Sequence, residues 1–166
     1  MKQKENTYSL INSMISYYTG DPKRIQHFLK VFQLAKMIGE EEQLDPETQY
    51  ILETAAIVHD IGIKIAEEKY GQCGGKLQEQ EGPAEAERML GKLGYPKNVI
   101  ERVSYLVGHH HTYTDVEGQD YQILLEADFL VNLYEDGLEQ EAVQTAYWTI
   151  FRTTSGKQIC REMFGL

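Results

Sequence analysis

The chain is poor in several things, and each shortage excludes something. Apolar runs are short: none approaches the ~20 residues of a membrane span. The opening residues, MKQKENTYSL, lack the apolar core of a secretory signal. Only two cysteines occur, Cys73 and Cys160, too few for a disulfide framework; the expectation is reduced thiols and a cytoplasmic protein. Basic residues are scarce beside acidic ones, 16 against 26, for a net charge of -10. That balance argues against a nucleic-acid polymer or a membrane surface as partner, because both are bound chiefly through Lys and Arg. A small anionic substrate stays open, since a bound cation reverses the charge of a pocket locally. Strand-like alternation is also missing.

What remains is helical. Asp21-Pro22 and Asp45-Pro46 each place an N-cap carboxylate before a proline at the first helical position. They open KRIQHFLKVFQLAKMIGEE and PETQYILETAAIVHDI. TYSLINSMISYYTG is read as a preceding helix. KYGQCGGKLQEQEG is read as one irregular, glycine-rich loop. Beyond it, GPAEAERMLGKLG is expected to start near Pro83, PKNVIERVSYLVGHHH at Pro96, and three further helical stretches complete the chain. The expected fold class is all-α, with about seven to nine helices in a single domain over residues 1–166. The aromatic stretch around Tyr147, Trp148 and Phe151 is either a homodimer face or packing of the last helices onto the core.

Five histidines are present: His27, His59, His109, His110 and His111. His27 heads a stripe continued by Val31, Leu34 and Ile38 at i+4, i+7 and i+11, so it faces inward. His59 lies one turn after Ala55 in AAIVHDIG, with Asp60 beside it. Asp128 sits in the nearly all-apolar ILLEADFLVNL. One core histidine alone is ordinarily structural, and Asp128 alone is satisfied by a cap or an Arg. Imidazole and carboxylate buried on three separate helices instead suggest one shared cation, because a buried charge needs a partner. The set has no thiolate, which suits first-row divalent ions rather than a structural Cys-type zinc site.

The order His27, His59-Asp60, His109-His110 and Asp128 resembles the HD-domain metal-dependent phosphohydrolase superfamily, over about residues 22–135. The resemblance implies a helical bundle holding a divalent metal through His27, His59, Asp60 and Asp128. It also implies hydrolysis of a phosphate ester or anhydride, of a nucleotide or similar phosphorylated metabolite, by metal-activated water. Asp60 would serve as ligand and as the group that orients the water. Many members hold two ions. For the second ion, Glu81 stands where the family's His-Gly-Pro histidine would fall, and His109 would be the other ligand. His110 would be a further ligand or a substrate contact, and His111 is expected to point away. The metal is one or two ions of Mn, Fe, Co, Ni, Zn or Mg.

Lys64 lies one turn beyond the His-Asp pair, where related enzymes often carry an acid or base; it suits a phosphate contact better, and its plain alternative is a solvated surface lysine. Lys76 ends GQCGGK, which lacks P-loop spacing; it is either a phosphate contact or an ordinary loop lysine. Asn132, one turn past Asp128, reads as a partner of that carboxylate or as packing. Tyr113, Tyr121 and Tyr134 lie near the ligands in sequence, but eleven tyrosines make base stacking by any one unremarkable. Two other functions fit the same scaffold: a di-iron oxygenase and a non-catalytic nucleotide-sensing domain.

Overall fold

The computed structural model describes residues 2–166, with side chains from residue 6. Nine helices are formed among them: α1 (Lys2–Tyr17), α2 (Pro22–Glu41), α3 (Pro46–Val58), α4 (Gly62–Tyr70), α5 (Gly75–Lys92), α6 (Lys97–Val107), α7 (Gln119–Glu135), α8 (Gln140–Thr149) and α9 (Thr154–Phe164). No strand occurs among the described residues, and none of these helices is long and apolar enough to cross a membrane.

Both Asp-Pro signals act as read. The Asp21 carboxylate accepts from the Arg24 amide, and Asp45 accepts from the amides of Glu47 and Thr48. Each satisfies N–H groups that a helix start leaves without partners. The glycine-rich loop is shorter than expected. Only Gly71–Gly74 is irregular, because α5 begins at Gly75 and runs through Pro83. A proline inside a helix deletes one ladder bond. Here its ring packs against Gly108, at the end of α6.

Helix α3 is the centre of the bundle and touches α1, α2, α6 and α7. That position explains its sequence: Leu52, Ala55, Ala56, Ile57 and Val58 are all fully buried, so no polar stripe is needed. Burying Leu52 or Ile57 contributes about 1.5–3 kcal/mol each. Helix α7 is apolar nearly all round for the same reason, packed on α2, α3 and α9. One core cluster runs from Leu10 to Cys160 and includes Tyr147 and Phe151, while Trp148 is exposed. At the α4–α5 crossing, a Cβ on Gly62 would sit 2.6 Å from the Gln78 carbonyl oxygen and 2.8 Å from the Gly82 nitrogen. Only glycine permits that approach, and it brings the Gln78 face of α5 to the end of α3.

Candidate metal centre

Helix α3 stops at Val58, and the His59–Ile61 turn projects from its C-terminal end. α2 passes on one side with His27, and α7 on the other with Asp128. His59 is fully buried, His27 is 7% exposed and Asp128 5%. Their donor atoms converge. His27 Nε2 lies 3.1 Å from His59 Nε2 and 3.2 Å from both Asp60 Oδ2 and Asp128 Oδ1. His59 Nε2 lies 3.4 Å from each of the same two oxygens.

The outer partners fix which nitrogens point inward. His59 Nδ1 faces the Ala56 carbonyl at 2.8 Å, an acceptor only, so Nδ1 carries the hydrogen and Nε2 presents its lone pair. His27 Nδ1 faces Glu135 Oε2 at 3.1 Å, with the same consequence. The other Glu135 oxygen pairs with Lys30 at 2.6 Å. Asn132 Nδ2 donates to Asp128 Oδ1 at 3.0 Å. Two imidazole lone pairs thus face an oxygen of each of two carboxylates. An ion held about 2.1 Å from each donor needs neighbouring donors about 3.0–3.4 Å apart. The observed spacings match, and the His/Asp donor set fits a divalent ion.

With no ion, protons must do that work. Burial alone would lower the His27 imidazole, but hydrogen bonds to Asp128 and Asp60 outweigh it and hold the ring up to about 9. Burial likewise works against a charged His59, yet the charges of Asp60 and Asp128 raise it well above the ordinary range. The carboxyl of Asp128 is held below the usual range against its own burial, chiefly by His59. A metal bound here would displace these protons.

Asp60 is shared. Its Oδ2 belongs to the four-atom cluster, while Oδ1 lies 3.3 Å from His110 Nε2. His110 is 1% exposed, and its Nδ1 faces the Val107 carbonyl at 2.8 Å. Asp60, His110 and His111 form a second group whose ligand atoms lie within 4.8 Å of one another. His111 turns inward rather than away, with Nε2 at 2.9 Å from Gln78 Oε1. Burial, then the neighbouring His110, lower its pKa to about 4. Glu79 Oε1 accepts from the His111 amide and the Thr112 hydroxyl and secures this turn to α5.

Glu81, His109 and Lys64, all expected at the site, lie elsewhere. Glu81 pairs with Lys69 at 2.6 Å and accepts from the Tyr70 hydroxyl at 2.9 Å. Gly75, Gln78 and Gly82 form the inward stripe of α5, and position 81 is turned about 100° from 82, toward α4. His109 bonds the Tyr105 carbonyl at 2.6 Å and stacks on its ring, outside both groups of candidate ligands. The three histidines follow the end of α6 in a turn, where consecutive side chains diverge. Lys64 places its ammonium 3.1 Å from the Tyr17 carbonyl and over the Tyr17 ring, capping the end of α1. Lys76 stands exposed on the first turn of α5.

Glu135, Gln78 and Glu79 escaped the sequence reading. Glu135 lies eight positions past Ala127, at a helix end that reads as ordinary acidic surface. The spacing from Asp128 to Glu135, seven residues, is the one signal that puts both on one face.

A cleft of about 390 Å3 opens onto the cluster, lined by Lys23, Arg24, His27, Asp60, Ile63 and Asn132 among others. Arg24 is committed to Glu67 and Asp21. A larger cavity of about 560 Å3 between α1, α2 and α3 has no histidine in its wall. Tyr113 is half-exposed against Phe129, Tyr121 donates to the carbonyls of His109 and Thr112, and Tyr134 is 75% exposed.

Comparison with known proteins agrees with this geometry. A model of the HD domain matches residues 24–147. A predicted HD superfamily hydrolase from an uncultured Thermotogales bacterium superposes with a TM-score of 0.68 at 21% identity, covering 95% of this chain and 84% of its own. Bacillus subtilis YpgQ superposes with a TM-score of 0.71 at 17% identity, covering 99% and 89%. The same protein solved in complex with ADP gives 0.68 at 18% identity, covering 99% and 90%. No curated protein sequence matches. A family match over three-quarters of the chain, falling on the helices that bring His27, His59, Asp60 and Asp128 together, places this chain in the HD-domain family.

Proposed function

We propose that this protein is a metal-dependent phosphohydrolase acting on a nucleotide or a related small phosphorylated metabolite. The observation that carries the reading is the convergence of His27, His59, Asp60 and Asp128, in which each imidazole Nε2 lies 3.1–3.4 Å from the other and from an oxygen of each carboxylate. The ADP bound by B. subtilis YpgQ supports a nucleotide as substrate class.

A divalent ion held by these residues supplies polarisation of a phosphoryl oxygen and a water acidified toward neutrality. The chain's own groups do the rest. Asp60 holds one oxygen in the cluster and keeps the other at the cleft, where it accepts a hydrogen bond from the attacking water and fixes its direction. His110, buried beside that oxygen, holds it in place. Asn132 and Glu135 hold Asp128 and His27 in register. Lys23 at the cleft wall and Lys76 on α5 are the cations free to meet further phosphates. Lys64, engaged with α1, takes no catalytic part. If a second ion binds, Asp60, His110 and His111 hold it, and Glu81 and His109 do not. Two nitrogens with two carboxylates favour Mn, Fe, Co, Ni or Zn over Mg.

The test is elemental analysis of protein purified without chelator, followed by phosphate release from a panel of nucleoside mono-, di- and triphosphates. One or two first-row ions per chain and turnover lost in Asp60→Ala are expected. Two irons per chain, with O2 uptake and no phosphate release, would overturn the reading in favour of an oxygenase.

A further inference from the structure

Helix α1 lies outside the residues matched by the HD-domain model, which begin at 24. Its end nevertheless meets the turn that carries His59 and Asp60. Tyr17, the last residue of α1, donates its hydroxyl to the Ile61 carbonyl at 3.1 Å. Tyr18, 4% exposed, donates to the Asp60 carbonyl at 2.7 Å. Within the turn itself the backbone hydrogen bonds are few: Ile61 N to Val58 O at 2.9 Å and Ile63 N to Asp60 O at 3.0 Å. The chain at this point has left α3 and not yet entered α4, so no helical ladder fixes the direction of the Asp60 side chain. The Tyr18 carbonyl also accepts from the Asp21 amide at 2.9 Å, and Asp21 caps the helix that carries His27. Tyr18 therefore ties together the backbones of two ligand-bearing elements. Lys64, from α4, holds the α1 terminus in place through the Tyr17 carbonyl.

We infer that Tyr18, supported by Tyr17, is a positioning residue for the metal centre: α1 holds the His59–Asp60 turn so that the two Asp60 oxygens serve the two ligand groups at once. Asp60 is the residue with most to lose from a small rotation, because Oδ2 faces His27 and His59 while Oδ1 faces His110. The inference rests on the metal-centre reading above.

The test is Co2+ binding to the full chain stripped of metal, followed by its visible absorption. Tyr18→Phe keeps the ring and removes one hydroxyl. It is expected to weaken Co2+ by about tenfold, the lower end for groups that orient a ligand, and to alter the Co2+ spectrum. Tyr95→Phe is the control. It removes another anchor of α1, the 3.1 Å bond to the Asn6 carbonyl, far from the turn, and should leave affinity and spectrum unchanged. Wild-type affinity and spectrum in Tyr18→Phe, or an equal loss in Tyr95→Phe, overturns the inference. Asp128→Ala separates the two levels. If it still binds Co2+ as the wild type does, the centre itself is misassigned; if it loses Co2+ while Tyr18→Phe does not, only the role of α1 fails. Should Tyr18→Phe not fold, Tyr17→Phe carries the same prediction in the same direction, and an unchanged spectrum there overturns it.

Discussion

Glu135 shows how much of the centre is decided outside the ligands. It accepts from His27 Nδ1 and is itself held by Lys30. Glu135→Gln should weaken metal binding by about 10–100-fold without unfolding the protein, read by metal titration. The histidine and its acidic neighbours also set a pH window. His27 is raised from 6.5 to about 9, so its contribution to the metal-free fold is complete below about pH 6.5 and is lost as pH climbs through 9. Asp128 is depressed below 3.8, so its contribution is complete above that value and is lost as pH falls. His111, lowered to about 4, acts in the opposite sense: its contribution is complete above about pH 6.5 and is lost as pH falls toward 4. The Tm of the metal-free protein should therefore peak near pH 6.5 and decline both toward pH 4 and toward pH 9. Saturating metal should abolish the alkaline decline, because the ion takes the place of the proton. At this scale the sequence was informative wherever a helix set the direction. His27, His59 and Asp128 declared their facing through i+4 and i+7 neighbours. The facing of His109, His110 and His111 was illegible, because they follow a helix end and no periodicity governs a turn.

At the scale of elements, the errors came from register between helices. Glu81 could be placed on α5 only by knowing which face meets α4, and that is decided by Gly62 and Gly82 meeting backbone to backbone. Gly62→Ala should cost about 1–3 kcal/mol, since neither backbone can yield to a methyl group, and denaturant unfolding measures it. The same variant should disturb the Gln78–His111 contact and thus the second ligand group more than the first. The helix starts were easier to see. Asp45 caps α3 at the surface, and Asp45→Ala should lower stability by about 1 kcal/mol with metal affinity intact. Lys64 belongs at this scale too. A lysine after His-Asp invites a catalytic reading, but its ammonium serves the α1 terminus; Lys64→Met should weaken metal binding less than Tyr18→Phe does and should keep turnover once saturated with metal, which loss of a catalytic group would abolish.

For the whole molecule, the family match ends at residue 147, inside α8, yet the core does not. Glu126, on α7 and fully buried, accepts from the Arg152 and Thr153 amides and pairs with the Thr153 hydroxyl. Those donors all lie beyond the match. A chain ending at residue 147 would lose those donors together with Phe151 and Cys160 of the core, and should be far less stable, read by circular dichroism on heating. The helical class and the site-bearing helices were readable from composition and period. This link was not, because an acidic residue in an apolar helix does not say which distant amides it meets.

The Glu126 contact has a consequence for how such chains can diverge. Gly156 is close enough to the Glu126 carboxylate that a Cβ there would collide with it. Positions 126, 153 and 156 therefore form one heritable unit. Related chains that replace the glutamate with an apolar residue are expected to have changed the other two as well, and recombination between α7 and α9 should yield offspring that fail unless both ends come from one parent.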